Sequence, residues 1–118
     1  MTSWRERARS FGYAIAGVRT LVAEQPHARF HLLAGVLVIA LAALLNVSRV
    51  EWIALLFAIA LVWLAEGMNT ALEYVCDATV PEQHPLIGKA KDVAAGAVLI
   101  CAGIAVIVGL LVFTPYLF

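Results

Sequence analysis

Residues 93–118 read VAAGAVLICAGIAVIVGLLVFTPYLF and carry no acidic or basic side chain. A helix over this stretch is about 39 Å long, more than the roughly 30 Å of a bilayer's hydrocarbon core. Gly96, Gly103 and Gly109, among many alanines, give it a smooth face for close helix packing. Toward the N-terminus, residues 30–48 form another uncharged run, about 28 Å as a helix. Residues 52–65 form a third, which continues as a helical pattern to Cys76 broken only by Glu66 and Glu73. The expected membrane spans are therefore 30–48, 52–76 and 93–117. Composition agrees: the 118 residues are 64% hydrophobic and 14% charged, with a mean hydropathy of +0.94. A soluble domain is about half apolar and a quarter charged, and so short a chain lacks the interior to hide this surplus. Disorder and an ordinary water-soluble enzyme are excluded, and the length allows one domain, 1–118.

Residues 3–25 read differently. Trp4, Ala8, Phe11, Ile15, Val18 and Val22 recur at helical spacing, while Arg5, Glu6, Arg9, Arg19 and Thr20 fall mostly elsewhere. This pattern predicts an amphipathic helix lying in the membrane surface. Pro26 breaks it before the first span, and Pro81 and Pro85 mark a loop between the second and third. The expected fold is an all-α membrane protein with three transmembrane helices and an N-terminal surface helix.

Basic residues set the orientation. Arg5, Arg7, Arg9, Arg19 and Arg29 precede the first span, and Lys89 and Lys91 sit between the second and third. Only Arg49 lies between the first two, which predicts a cytoplasmic N-terminus and a C-terminus outside. The polar, basic opening of the chain predicts no cleaved leader. Eight basic and eight acidic residues cancel, so charge points to no nucleic-acid partner. Cys76 and Cys101 read as small apolar residues in apolar surroundings.

The second span carries residues that lipid disfavours. Glu66, Asn69, Thr70, Glu73 and Asp77 project within an arc of about 100° at 100° per residue. Three carboxylates on one stripe repel each other unless a cation sits between them, and each is costly in lipid. Taken singly, Glu66 would make a buried structural hydrogen bond, Glu73 and Asp77 would be solvated at the surface, and Asn69 and Thr70 would join helices. The combination marks a functional stripe. A second polar group follows: Glu82, Gln83 and His84, then Gly88, Lys89, Lys91 and Asp92. Lys91 suits either a phosphate or a cytoplasmic membrane anchor, and Asp92 suits a helix N-terminus. Carboxylates on one helix and a Lys-Asp pair on the next suggest divalent-cation and phosphate chemistry. No GxxxxGK[ST] loop is present, so any nucleotide site is of another design.

The stretch Ala65-Glu66-Gly67-Met68-Asn69-Thr70-Ala71-Leu72-Glu73, with His84-Pro85-Leu86 and Gly88-Lys89-Ala90-Lys91-Asp92-Val93-Ala94-Ala95-Gly96-Ala97-Val98, closely resembles the small prokaryotic diacylglycerol kinases, which include the undecaprenol kinases. The resemblance begins at Phe11-Gly12-Tyr13 and covers nearly the whole chain. It implies a homotrimer in the bacterial inner membrane that transfers the γ-phosphoryl group of ATP, with Mg2+, to a lipid hydroxyl at the cytoplasmic face. The active sites would lie between subunits.

By position, the resemblance makes Glu66 the general base, Asn69 a residue that places the lipid, and Glu73 a metal-binding carboxylate. It assigns Lys91 and Asp92 to the ATP phosphates, Glu82, Gln83 and His84 to the nucleotide loop, and Tyr13 to the adenine. The second metal carboxylate falls on Gln25, with Glu24 as the neighbouring acid. An N-terminal arginine credited with nucleotide contact falls near Glu6, among Arg5, Arg7 and Arg9. The stretches 28–32 and 84–86 lean toward the undecaprenol branch over the diacylglycerol branch. Two rival readings use the same stripe: a small multidrug-type transporter with Glu66 as its proton or cation site, which needs four spans, and a non-catalytic subunit that uses the stripe for assembly.

Overall fold

The computed structural model describes residues 3–118, which form four helices. These are α1 (Trp4–Glu24), α2 (Pro26–Leu45), α3 (Arg49–Thr79) and α4 (Pro85–Leu117). Among the described residues, α2, α3 and α4 are long and apolar enough to cross a membrane. The protein is thus an all-α, multi-pass membrane protein with an N-terminal helix, one span short of the transporter reading.

Each helix end has a local cause. Ser3 and Glu6 form a capping box that starts α1, and Ser48 and Glu51 form another that starts α3. Each box is worth about 1 kcal/mol. Gln25 is extended (φ −112°, ψ 110°), as the residue before a proline must be, and Pro26 takes the first position of α2. Arg29 Nη1 closes the corner by donating to the carbonyls of Ala23 (2.9 Å) and Val22 (3.4 Å). These are orphan acceptors at the negative end of α1.

The expected span 30–48 lies on α2, whose helix stops at Leu45. Asn46 adopts the left-handed conformation (φ 52°, ψ 51°), and Val47 N–H reaches back to the Ala42 carbonyl at 3.2 Å. Asn tolerates this geometry where a β-branched residue does not. Asn46→Val is expected to cost about 1–2 kcal/mol, and Asn46→Gly almost nothing. Comparing the two variants' thermal unfolding in detergent checks this.

The third span also differs from the expected start at residue 93: α4 begins at Pro85. His84 Nδ1 accepts from Leu86 N–H (3.1 Å) and caps it. Gly88, Lys89, Lys91 and Asp92 therefore lie on a helix ahead of the uncharged run.

The buried positions of α2 are Ala28, Gly35 and Ala42, spaced by seven. A heptad of small residues makes a straight seam that lets two backbones approach closely. α3 buries Leu55, Ala58, Val62, Glu66, Thr70 and Cys76, and its Ile59 lies beside Gly35 of the seam. The apolar core of Ala42, Val47, Leu55, Val112 and Phe113 sits at the turn end, where α2 meets α3. Tyr116 also donates its hydroxyl to Glu51 there. α1 buries no residue and keeps Trp4, Phe11, Ile15 and Val18 exposed, the surface a helix lying in lipid headgroups needs.

Candidate functional site

The stripe on α3 is one continuous face. Leu55, Ile59 and Val62 precede Glu66 at the spacing that stacks residues along a helix, and Asn69, Thr70, Glu73 and Asp77 continue it. The face is apolar toward the turn end and polar toward the loop of residues 80–84. Glu66 stands at the change of character.

Glu66 is 3% exposed, and His31 Nε2 of α2 lies 3.5 Å from its Oε2. That is an ion-pair distance but no hydrogen bond, so Oε2 remains buried without a hydrogen-bond partner. Asn69 Oδ1 and Thr70 Oγ1 share this condition. Three orphaned oxygens within five residues are unusual, because a buried polar atom without a partner costs about 1–3 kcal/mol. Asn69 Nδ2 reaches Glu73 Oε1 at 3.5 Å, at the edge of hydrogen-bond range. Asp77, more exposed, takes the ammonium of Lys91 at 2.8 Å and ties α3 to α4.

Two cavities flank the stripe. One, of about 560 Å3, lies at the loop end and is lined by Glu82, Gln83, His84 and Lys91 with their neighbours. Four of the six expected nucleotide contacts thus share one polar cavity. The other two do not join it: Asp92 faces solvent next to Lys91, and Tyr13 is 70% exposed on α1. The second cavity, about 460 Å3, is an apolar groove between α2, α3 and α4 that runs from His31 to Phe118. Val62 and Trp63 line it one turn from Glu66.

The expected metal ligands divide. Glu73 is half-buried on the stripe. Glu24 Oε1 instead accepts from Tyr74 OH at 2.8 Å, and Gln25 Nε2 donates to the same phenol oxygen at 3.3 Å. Among the described residues no three His, Cys, Asp or Glu side chains converge on one point. Mg2+ fits such a site, since it is commonly held by one or two carboxylates together with substrate phosphates.

The profile of the family described as Prokaryotic diacylglycerol kinase matches residues 12–113. The chain belongs to the prokaryotic diacylglycerol kinase family. Curated relatives show the same breadth of substrate names. A Synechocystis protein named Diacylglycerol kinase is 48% identical over 101 residues, covering 85% of this chain and 58% of its own length. The Undecaprenol kinase of Bacillus subtilis is 36% identical over 109 residues, covering 92% and 89%. The Diacylglycerol kinase of Escherichia coli K12 is 32% identical over 106 residues, covering 90% and 87%. This chain thus spans little more than half of the Synechocystis relative but nearly all of the other two. As a prokaryotic diacylglycerol kinase family member, the protein is grouped with lipid kinases, and the stripe lies inside the matched region.

Two contacts have no counterpart among the expected site residues. His31 left a signal: it is the single ionisable side chain in the run 30–48. Tyr74 left none, because a tyrosine at a membrane helix end is ordinary.

Proposed function

We propose that the protein transfers the γ-phosphoryl group of ATP to the hydroxyl of a membrane lipid, undecaprenol or diacylglycerol, at the cytoplasmic face of a bacterial inner membrane. The observation that carries this reading is a buried carboxylate with an unpartnered oxygen, one helical turn beyond residues that line an apolar groove. The groove suits the lipid's apolar body and would leave the hydroxyl beside Glu66. The polar cavity at the loop end suits the nucleotide, with Lys91 for its phosphates.

In the reaction the lipid O–H bond breaks, its oxygen bonds to the γ-phosphorus, and the bond to ADP breaks. Glu66 takes the proton. Asn69 orients the hydroxyl. Lys91 neutralises charge on the phosphates once it exchanges Asp77 for them. Glu73, helped by Glu24 or the amide oxygen of Gln25, would hold Mg2+, which when bound spreads the phosphate charge. The half-buried Asn69 and Glu73 and the largely unburied α4 support a homotrimer, in which a neighbouring subunit covers what remains open of the stripe.

The test is phosphate transfer from labelled ATP by the purified protein in mild detergent, with both lipids offered in parallel and Mg2+ varied. Transfer to one lipid is expected and names the substrate. Glu73→Gln should raise the Mg2+ needed for half-maximal rate by at least about tenfold, as even outer-shell changes do at metal sites. ATP binding without transfer to either lipid would refute the reading.

A further inference from the structure

Gln25, where the resemblance places the second metal carboxylate, carries no charge, and the acid beside it, Glu24, ends α1. A carboxylate is badly placed at that point. The negative end of the helix dipole repels it, and the last turn of α1 holds no basic side chain. Arg29, the arginine at this corner, is committed to the carbonyls of Val22 and Ala23. The group that holds Glu24 comes from α3: Tyr74 donates its hydroxyl to Glu24 Oε1 at 2.8 Å. A phenol has one proton. Since Glu24 receives it, Gln25 meets the phenol oxygen as a donor, through Nε2 at 3.3 Å. The contact is not isolated. Leu21, one turn before Glu24, lies against Gly67, which shares a face of α3 with Tyr74 seven residues on. The last turn of α1 thus lies along α3 beside the polar stripe, and Tyr74 directly follows Glu73. Tyr74 is 42% exposed, so it is not there to fill the core.

We propose that Tyr74 is a positioning residue: its hydroxyl holds the Glu24 carboxylate on the helix that carries Glu73, so that Glu24 and not Gln25 supplies the second acid for Mg2+. This role rests on the kinase reading above. Glu24 offers a negative charge and its Oε2, which takes no hydrogen bond among the described residues. Gln25 offers a neutral amide whose nitrogen is committed to the phenol. Two carboxylates with the phosphates of a nucleotide are a ligand set that suits Mg2+. Tyr74 touches neither metal nor substrate and acts through Glu24.

The test is a double-mutant cycle on the full-length protein in mild detergent, with Tyr74→Phe, Glu24→Gln and the two combined. Mn2+ is titrated in the presence of a non-hydrolysable ATP analogue, and the bound fraction is read from its broadened electron paramagnetic resonance signal. Labelled phosphate transfer gives kcat and the Mg2+ needed for half-maximal rate. Thermal unfolding without metal checks that each variant is folded. Tyr74→Phe removes one oxygen from an exposed side chain, so folding should persist. It should weaken Mn2+ binding by about tenfold, as loss of a group that orients a metal ligand does. The Mg2+ requirement should rise in step, and by more than kcat falls. In the Glu24→Gln background the same change should weaken Mn2+ binding by no more than about twofold further, because the carboxylate it orients is gone. Unchanged Mn2+ affinity in folded Tyr74→Phe would overturn the proposal. Equal losses in both backgrounds would also overturn it, since the phenol would then act through Gln25 or as a strut. If the native protein phosphorylates neither lipid, the kinase reading fails, while the Mn2+ cycle still decides the role of Tyr74.

Discussion

Glu66→Gln is expected to lower kcat for lipid phosphorylation by about 10²–10⁴-fold, the range that general-base catalysis supplies. The change is nearly isosteric and removes only the ability to take a proton. The site is buried and lies where the apolar face of α3 turns polar. Gln fills the same volume, and its amide can still meet His31. Folding should therefore persist, and the neutral side chain should even relieve the cost of placing a charge in lipid. The measurement pairs labelled phosphate transfer with ATP binding and thermal unfolding. Lost transfer with intact binding and folding is the expected pattern. Full activity in the variant would remove Glu66 from the chemistry and leave the stripe as an assembly surface.

Lys91→Ala is expected to lower kcat/KM for ATP by roughly 10–100-fold, the loss of one hydrogen bond to a charged group. In the structure Lys91 lies at the wall of the polar cavity with its ammonium on Asp77. A phosphate and Asp77 would compete for it. The companion variant Asp77→Asn separates the roles. It breaks the same ion pair but keeps the cation, so kcat/KM should hold or rise. Its stability cost should be small, as is usual for exposed pairs. Initial rates over a range of ATP concentrations check both. Equal losses in the two variants would mean that the ion pair matters only as a strut between α3 and α4.

Much of this arrangement is legible in the order of the amino acids. Uncharged runs of sufficient length mark three membrane helices, because charge in hydrocarbon is too costly to arise by accident. Spacing alone places Glu66, Asn69, Thr70, Glu73 and Asp77 on one face, because helix geometry does not depend on context. The starts of α1 and α3 are likewise carried by Ser3-x-x-Glu6 and Ser48-x-x-Glu51, a purely local pattern. Contacts between helices are not legible in this way. Nothing local says that His31 meets Glu66, or that Glu24 and Gln25 both turn to Tyr74. Those contacts depend on the register of α1 and α2 against α3, which the small-residue seam and the Pro26 corner set together. The early start of α4 is hidden for a different reason: Lys89, Lys91 and Asp92 stop a hydropathy run but not a helix.

The core, the three-residue turn and the Glu51–Tyr116 bond all gather at one end of the bundle. At the other end α3 and α4 are joined by the five-residue loop and the single Lys91–Asp77 pair. The subunit is therefore fastened by apolar packing at one end and by a charge pair and a short loop at the other. α3 is about 46 Å long, so a tilt of about 3° displaces its far end by about 2.4 Å, more than the tolerance of a hydrogen bond. The packing at the apolar end therefore governs whether the polar end keeps its contacts.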